Sequence, residues 1–130
     1  MPQPLAQLLP MAGACTLLVV VSPSCPICAR MRVTWPARFA AWVDSVGGDV
    51  RPLWLSEGGR DALVAFIEGF RLDGIQFAYL ARGRTIHGYN VLGVLGTPTL
   101  YLVDPGGLVQ SGLVGDAFPP INLSRAVCGS

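Results

Sequence analysis

The sequence contains Thr16-Leu17-Leu18-Val19-Val20-Val21-Ser22-Pro23-Ser24-Cys25-Pro26-Ile27-Cys28, an apolar run that leads into a Cys-x-x-Cys motif. The run is typical of a β-strand, and the residues that follow are typical of an amphipathic helix. The first cysteine would then lie at a helix N-terminus, where unpaired N–H groups and the helix dipole favour thiolate over thiol. Cys28, one turn further on, can reach back to Cys25 and close a disulfide. The pattern therefore predicts thiol–disulfide chemistry.

The same spacing also occurs in structural zinc sites, so the motif alone leaves a metal site open. A structural zinc site needs a second Cys or His pair at similar spacing. The remaining candidates, Cys15, Cys128 and His87, stand singly along the chain, and His87 falls in a predicted surface turn. Redox chemistry is therefore the favoured interpretation, and we expect neither a metal nor another cofactor.

Length and composition indicate one compact domain, with 130 residues of which 52% are apolar and 13% charged. The net charge is +1 and the nine basic residues, all Arg, form no cluster, which argues against nucleic-acid binding. We place the domain at residues 16–130, after a lead-in segment at residues 1–15. The apolar N-terminal segment lacks the basic start of a signal peptide, and polar residues interrupt it as a membrane span. Any export signal or membrane anchor is therefore expected outside this chain.

Periodicity and turn signals predict alternating strands and helices, followed by a hairpin and a last helix. The predicted strands are Thr16–Val21, Val50–Leu55, Ile75–Leu80, Thr99–Val103 and Leu108–Val114; the predicted helices are Ile27–Val43, Arg60–Arg71 and Pro120–Val127, with a helical turn at Thr85–Leu92. Pro36 is expected to kink the first helix or to split it. Asp104-Pro105-Gly106-Gly107 marks the hairpin turn. This order predicts an α/β fold with a mixed sheet between helices.

A second motif, Gly96-Thr97-Pro98-Thr99, stands directly before the predicted hairpin. A Cys-x-x-Cys after a central strand and a Thr-Pro before a hairpin together resemble the thioredoxin superfamily. The extra βα unit at Val50 to Gly74 is similar to the TlpA-like branch of thiol–disulfide oxidoreductases, and residues 22–28 resemble its MauD-type members. The resemblance implies a thioredoxin-like fold, a central mixed β-sheet flanked by helices with an inserted βα unit.

The resemblance also implies roles for individual residues. Cys25 would be the attacking thiolate and Cys28 the resolving thiol. The Thr97–Pro98 peptide bond would be cis and lie against Cys25, where the backbone of Thr97 can pair with an extended substrate segment. Pro26 and Ile27 would complete this substrate-binding surface. In the alternative, Pro98 merely opens an edge strand in trans.

Proton transfer needs a further group, because Val19 and its neighbours before the motif are all apolar. Glu57 follows the second predicted strand at its C-terminal end, where TlpA-like members often have a glutamate. A carboxylate in an apolar cleft would have a raised pKa and could take the proton from Cys28. Alternatively, Glu57 caps or flanks the helix that begins near Arg60.

Two cysteines remain outside the motif. Cys15 lies at the start of the central strand, and Cys128 lies at the end of the last helix, which is expected to finish at the same edge of the sheet. They either form a structural disulfide or remain a buried small residue and a free thiol. A bridge would favour an oxidising compartment.

We therefore expect a thiol–disulfide oxidoreductase of the protein-disulfide reductase type, in the periplasm or another extracytoplasmic space. The expected partners are protein thiol/disulfide substrates and an upstream redox partner, without nucleic acid, and the chain is expected to be a monomer. The alternative is a non-catalytic thioredoxin-like module that binds a partner or a metal through Cys25 and Cys28. The sequence leaves open whether the protein reduces or oxidises its substrates, because the dipeptide between the cysteines tunes the reduction potential.

Overall fold

The computed structural model describes residues 14–22, 25–56, 60–68, 76–79 and 98–129. The strands are β1 Cys15–Val21, β2 Val50–Ser56, β3 Gln76–Tyr79, β4 Thr99–Val103 and β5 Val109–Val114; the helices are α1 Pro26–Val46, α2 Arg60–Ile67 and α3 Ile121–Cys128. The turn predicted at Thr85–Leu92, with His87, lies outside the described residues. Of the helices described, none combines the length and the apolar character needed to cross a membrane.

The described strands form one sheet in the order β3-β2-β1-β4-β5. β1 and β2 are parallel, as are β2 and β3. β4 runs antiparallel to both β1 and β5, which form its two neighbours. This arrangement confirms the mixed sheet that the sequence predicts, with the alternating elements supplying the parallel strands and the hairpin supplying the antiparallel ones.

β1 lies in the centre of the sheet, and all seven of its residues are buried. Its odd-numbered residues, such as Val19 and Val21, belong to the core that the helices cover. Its even-numbered residues face the other way and are buried as well, because successive side chains alternate between the two faces. A strand buried on both faces is a continuous apolar run, which explains why β1 is so readily recognised in the sequence.

α1 is one continuous helix of 21 residues that contains Pro36, so of the two predicted alternatives, a kink or a split, the split is wrong. A proline inside a helix costs about 3 kcal/mol, because it removes one hydrogen bond and crowds the preceding turn. The buried face of α1 compensates for this cost: Met31, Trp35 and Trp42, together with Phe39, are packed against the sheet at helical spacing. The helix extends beyond the predicted end at Val43 and ends at a left-handed Gly47, whose φ is 72°.

Aromatic side chains join α1 to its surroundings. Trp35 meets Trp54 of β2 edge to face, with ring centroids 5.1 Å apart, and stacks on Phe118 at 5.8 Å. The indole N–H of Trp42 donates to the carbonyl of Pro119 at 3.0 Å in a buried hydrogen bond. These contacts hold α1 to the sheet and also fix the segment that leads into α3.

The turn between β4 and β5 is organised by Asp104. Its carboxylate accepts hydrogen bonds from the N–H groups of Gly106 and Leu108, both at 2.9 Å, and from the amide of Gln110 at 2.8 Å. The hydrogen bonds from Leu108 and then Gln110 lower the pKa of the carboxyl group. The hairpin predicted from the Asp-Pro-Gly-Gly sequence is therefore confirmed.

A disulfide joins Cys15 at the start of β1 to Cys128 at the end of α3, with Cα atoms 5.8 Å apart and a sequence separation of 113. The backbone of Gly48, just after α1, pairs with that of Gly129 beside the disulfide. The ends of α1 and α3 and the beginning of β1 therefore meet at one edge of the sheet.

Removing the disulfide should lower the free energy of unfolding by about 4–5 kcal/mol, because a loop of this length greatly restricts the unfolded chain. We expect this loss for the double substitution Cys15→Ala/Cys128→Ala in urea unfolding. A reductant should shift the midpoint of the native protein towards that of the double variant and leave the variant itself unchanged. A loss below about 1 kcal/mol would contradict the expectation.

Gly48→Ala should also destabilise the fold, because a Cβ at this position would collide with the carbonyl oxygen of Cys128. Overpacking of this kind costs about 1–3 kcal/mol, which urea unfolding resolves. Gly106→Ala is the matched control, since the nearest atom to its added Cβ is Oδ1 of Asp104 at 3.3 Å, in an exposed turn. Equal stability of the two variants would show that the backbone around Gly48 yields easily.

Candidate active site

Cys25 occupies the junction between β1 and α1 as the N-cap residue of the helix, with extended backbone angles of φ −81° and ψ 121°. Its N–H donates to the carbonyl of Ser22 at 3.0 Å, and its carbonyl accepts from the N–H of Ala29 at 3.1 Å. Pro26 begins the helix, where its fixed φ suits the first turn and its missing N–H is not needed. The backbone at Cys25 is thus held from both sides.

The sulfur of Cys25 accepts the N–H of Cys28 at 3.4 Å. It therefore takes the place that a serine, threonine or aspartate oxygen usually takes at the start of a helix. Negative charge on this sulfur is favoured by the helix N-terminus, and the first turn of α1 contains no acidic side chain to oppose it. The local electrostatics favour a thiolate at Cys25.

The two thiols differ in accessibility. Cys25 is partly exposed, whereas Cys28 is 0% exposed and belongs to the same buried cluster as Val21. Neither cysteine forms a disulfide in the structure. Beside them, Pro26 is exposed and Ile27 is 40% exposed, so these two residues present apolar surface next to Cys25. An incoming disulfide can approach the Cys25 sulfur, but it cannot approach the Cys28 sulfur from solvent.

Pro98 lies at the end of the sheet from which the chain continues to Cys25. It is buried and directly precedes β4, whose first residue, Thr99, is aligned with Val20 near the end of β1. Its carbonyl accepts the N–H of Gly115 at 2.7 Å. Alternation along the chain puts Pro98 on the face of Leu100, which α1 covers.

Two of the predicted site residues lie outside the described residues, namely Glu57 and Thr97. The Thr97–Pro98 peptide bond lies outside them too. Glu57 follows Ser56, which is aligned with Val21 at the end of β1. The predicted roles of Glu57 and Thr97 remain predictions.

Ser56 lies near the site and is not predicted by the sequence. β2 extends one residue beyond the predicted end at Leu55, and Ser56 is 0% exposed, between Val21 of β1 and Tyr79 of β3. The only signal in the sequence is a serine that ends an otherwise apolar run. Within the described residues, no group of three or more His, Cys, Asp or Glu side chains is placed to hold a metal ion.

No known protein-family model matches the chain, and no curated protein matches its sequence. Solved structures do match it. A thiol-disulfide isomerase from Corynebacterium glutamicum is 19% identical with a TM-score of 0.66, covering 92% of this chain and 83% of that protein. DsbF from Mycobacterium tuberculosis is 22% identical with a TM-score of 0.60, covering 89% of this chain and 80% of its own.

A third match is a secreted disulfide oxidoreductase of Mycobacterium tuberculosis, homologous to DsbE of Escherichia coli. It is 14% identical with a TM-score of 0.59, and the match covers 88% of this chain and 80% of that one. Identities this low show a shared fold, and the order of the strands and the position of Cys25 at the start of α1 agree with it. The chain therefore has the thioredoxin-like fold that its two motifs predict.

Proposed function

We propose that the chain is a thiol–disulfide oxidoreductase that exchanges a Cys25–Cys28 dithiol/disulfide with protein substrates, as in the TlpA-like proteins that its sequence resembles. The observation that carries the proposal is the geometry of Cys25. The sulfur of this partly exposed residue accepts the N–H of Cys28 at 3.4 Å at the helix start, one turn before the buried Cys28 side chain. The likeness in fold to a thiol-disulfide isomerase and to a secreted disulfide oxidoreductase supports the same class of activity.

In the reducing direction, the Cys25 thiolate attacks one sulfur of a substrate disulfide. A mixed disulfide forms, and the other substrate sulfur leaves as a thiolate. Cys28 then loses its proton and attacks the Cys25 sulfur, which expels the second substrate thiolate. The substrate gains two electrons and the Cys25–Cys28 pair becomes a disulfide. The reverse sequence oxidises a substrate dithiol.

The surface around Cys25 suits an extended polypeptide. Pro26 and Ile27 are exposed next to the sulfur, and Pro98 lies at the same end of the sheet. In this proposal Thr97 pairs through its backbone with a substrate segment and so positions the target disulfide over Cys25. The Thr97–Pro98 bond is cis in this arrangement.

We place this activity in the periplasm or another extracytoplasmic space. The Cys15–Cys128 disulfide supports this location, because structural disulfides persist in oxidising compartments and are rare where thiols are kept reduced. One structural neighbour is a secreted protein, which agrees with this location.

Cys25→Ser should abolish the acceleration of insulin disulfide reduction by dithiothreitol, because the attacking sulfur is lost, and leave only the uncatalysed rate. Cys28→Ser should instead accumulate a mixed disulfide at Cys25, since no thiol remains to resolve it. Insulin turbidity measures the first effect, and the mass of the trapped adduct measures the second.

The matched control is the double variant Cys15→Ala/Cys128→Ala, which lacks two cysteines at the opposite edge of the sheet and should keep its activity below its unfolding transition. Insulin reduction by Cys25→Ser at the rate of the native protein would contradict the proposal. A native protein without activity, combined with stoichiometric metal binding through the thiols, would instead favour the non-catalytic module.

Glu57→Gln should slow disulfide exchange, with the largest effect at the pH where the native carboxylate is ionised and accepts the Cys28 proton. The native rate should fall as the pH decreases through the pKa of Glu57, and the Gln variant should lack this step. Rates over a range of pH measure it, with Asp61→Asn in the first turn of α2 as the matched control. Identical profiles for all three proteins would leave Glu57 as a helix-flanking residue.

A further inference from the structure

Ser56 is a fully buried hydroxyl group at the C-terminal end of β2. It is 0% exposed, and its Cα is aligned with that of Val21, the last residue of β1. From Val21 the chain needs only Ser22 to Ser24 to reach Cys25. The hydroxyl is therefore at the end of the sheet where the redox motif begins.

Ser56 also lies on the same side of the sheet as the motif. Side chains alternate along a strand, so Ser56 faces the same way as Trp54. Trp54 contacts Trp35 of α1 edge to face at 5.1 Å, which identifies this side as the one that α1 covers. Cys28, Val21 and Trp54 belong to one buried cluster on this side.

No other buried Ser or Thr side chain of the described residues shares both this side and this end. These side chains are Thr16, Ser56, Thr99 and Ser124. Ser124 donates to the carbonyl of Pro120 at 2.8 Å within α3. Thr99 is aligned with Val20, on the opposite face of the sheet, and Thr16 lies on that face at the far end.

The resolving step creates a need for such a group. Cys28 is 0% exposed and surrounded by apolar side chains, so a negative charge on its sulfur is poorly solvated while its proton leaves. A hydroxyl group can both accept a proton and donate one, and it stays uncharged between turnovers. The hydroxyl group of Ser56 can act in both ways at the C-terminal end of β2.

We propose that Ser56 is the positioning residue through which the proton of Cys28 leaves the core during the resolving step. The inference rests on the proposed function. As the Cys28 sulfur attacks the Cys25 sulfur, its proton passes to the Ser56 oxygen, and the hydroxyl proton of Ser56 passes at the strand end to the acceptor that the proposed function assigns to Glu57. The substrate thiolate leaves from Cys25, and Ser56 is unchanged at the end.

The attack by Cys25 and the attack by Cys28 can be observed separately with a small disulfide, dithiobis(nitrobenzoate). It is added to protein in which Cys25 and Cys28 are both reduced. The first coloured thiolate is released when Cys25 attacks, and the second when Cys28 attacks the mixed disulfide. Ser56→Ala should slow the second phase by about 10- to 100-fold, the value of one hydrogen bond to a charged group, and leave the first phase unchanged. The pH at which the second phase reaches half of its maximal rate should be higher in Ser56→Ala than in the native protein.

Ser124→Ala is the matched control, because it removes a second fully buried serine hydroxyl far from the motif. Its two phases should match those of the native protein, and Ser56→Thr, which keeps a hydroxyl, should restore part of the second phase. A second phase in Ser56→Ala with the native rate and pH profile would overturn the inference. A native protein that shows neither phase would instead overturn the proposed function.

If Ser56→Ala does not fold, a measurement on the native protein can still overturn the inference. Proton transfer through Ser56 requires the second phase to be slower in heavy water by a larger factor than the first, at a pH where both rates are constant. Equal solvent isotope effects on the two phases would overturn the inference.

Discussion

The pairing of β1 with β2 on one side and with β4 on the other is the constraint on which the rest of the structure depends. A strand that is paired on both sides and buried on both faces cannot slide, since a shift by one residue would turn every core-facing side chain to the other face. Its ends are therefore fixed in space. At the start of β1, Cys15 is bonded to Cys128 of α3. At its other end, Val21 is aligned with Ser56, and the chain continues from there to Cys25.

The four cysteines form two pairs, one at each end of β1. Cys15 and Cys128 are bonded at the start of β1, and the free Cys25 and Cys28 follow its other end. Six residue steps along a strand span about 20 Å, which is too far for the two pairs to exchange disulfides without unfolding. The same fold can therefore hold a permanent disulfide for stability and a dithiol for chemistry, because the length of β1 keeps them apart.

At the reactive end, one sulfur serves two purposes. Cys25 caps α1, and the helix N-terminus that its sulfur caps also favours negative charge on that sulfur. Cys28 lies one turn further along α1 in the hydrophobic core, where the packed apolar side chains exclude water. The pair therefore combines a sulfur that is stabilised as a thiolate at the surface with one that must lose its proton inside the core.

The sequence by itself determined the elements whose signals are local. An unbroken apolar run predicts β1, a Cys-x-x-Cys after it predicts the reactive helix start, and Asp104 with the following Pro-Gly-Gly predicts the hairpin, because strand burial, helix capping and turn geometry each depend on a few neighbouring residues. The mixed sheet followed from the order of these elements. The two cysteines of the motif could be assigned for the same reason.

Only the tertiary structure decided what depends on residues far apart in the chain. Pro36 is a helix breaker by its local chemistry, yet α1 continues through it, because packing of its aromatic face on the sheet outweighs one lost hydrogen bond. Cys15 and Cys128 bond because β1 and α3 reach the same edge, which no local pattern records. In the sequence, Ser56 is only a polar residue at the end of an apolar run. It becomes a buried hydroxyl beside the motif only because β2 pairs in parallel with β1, so that residues 35 positions apart share one end of the sheet.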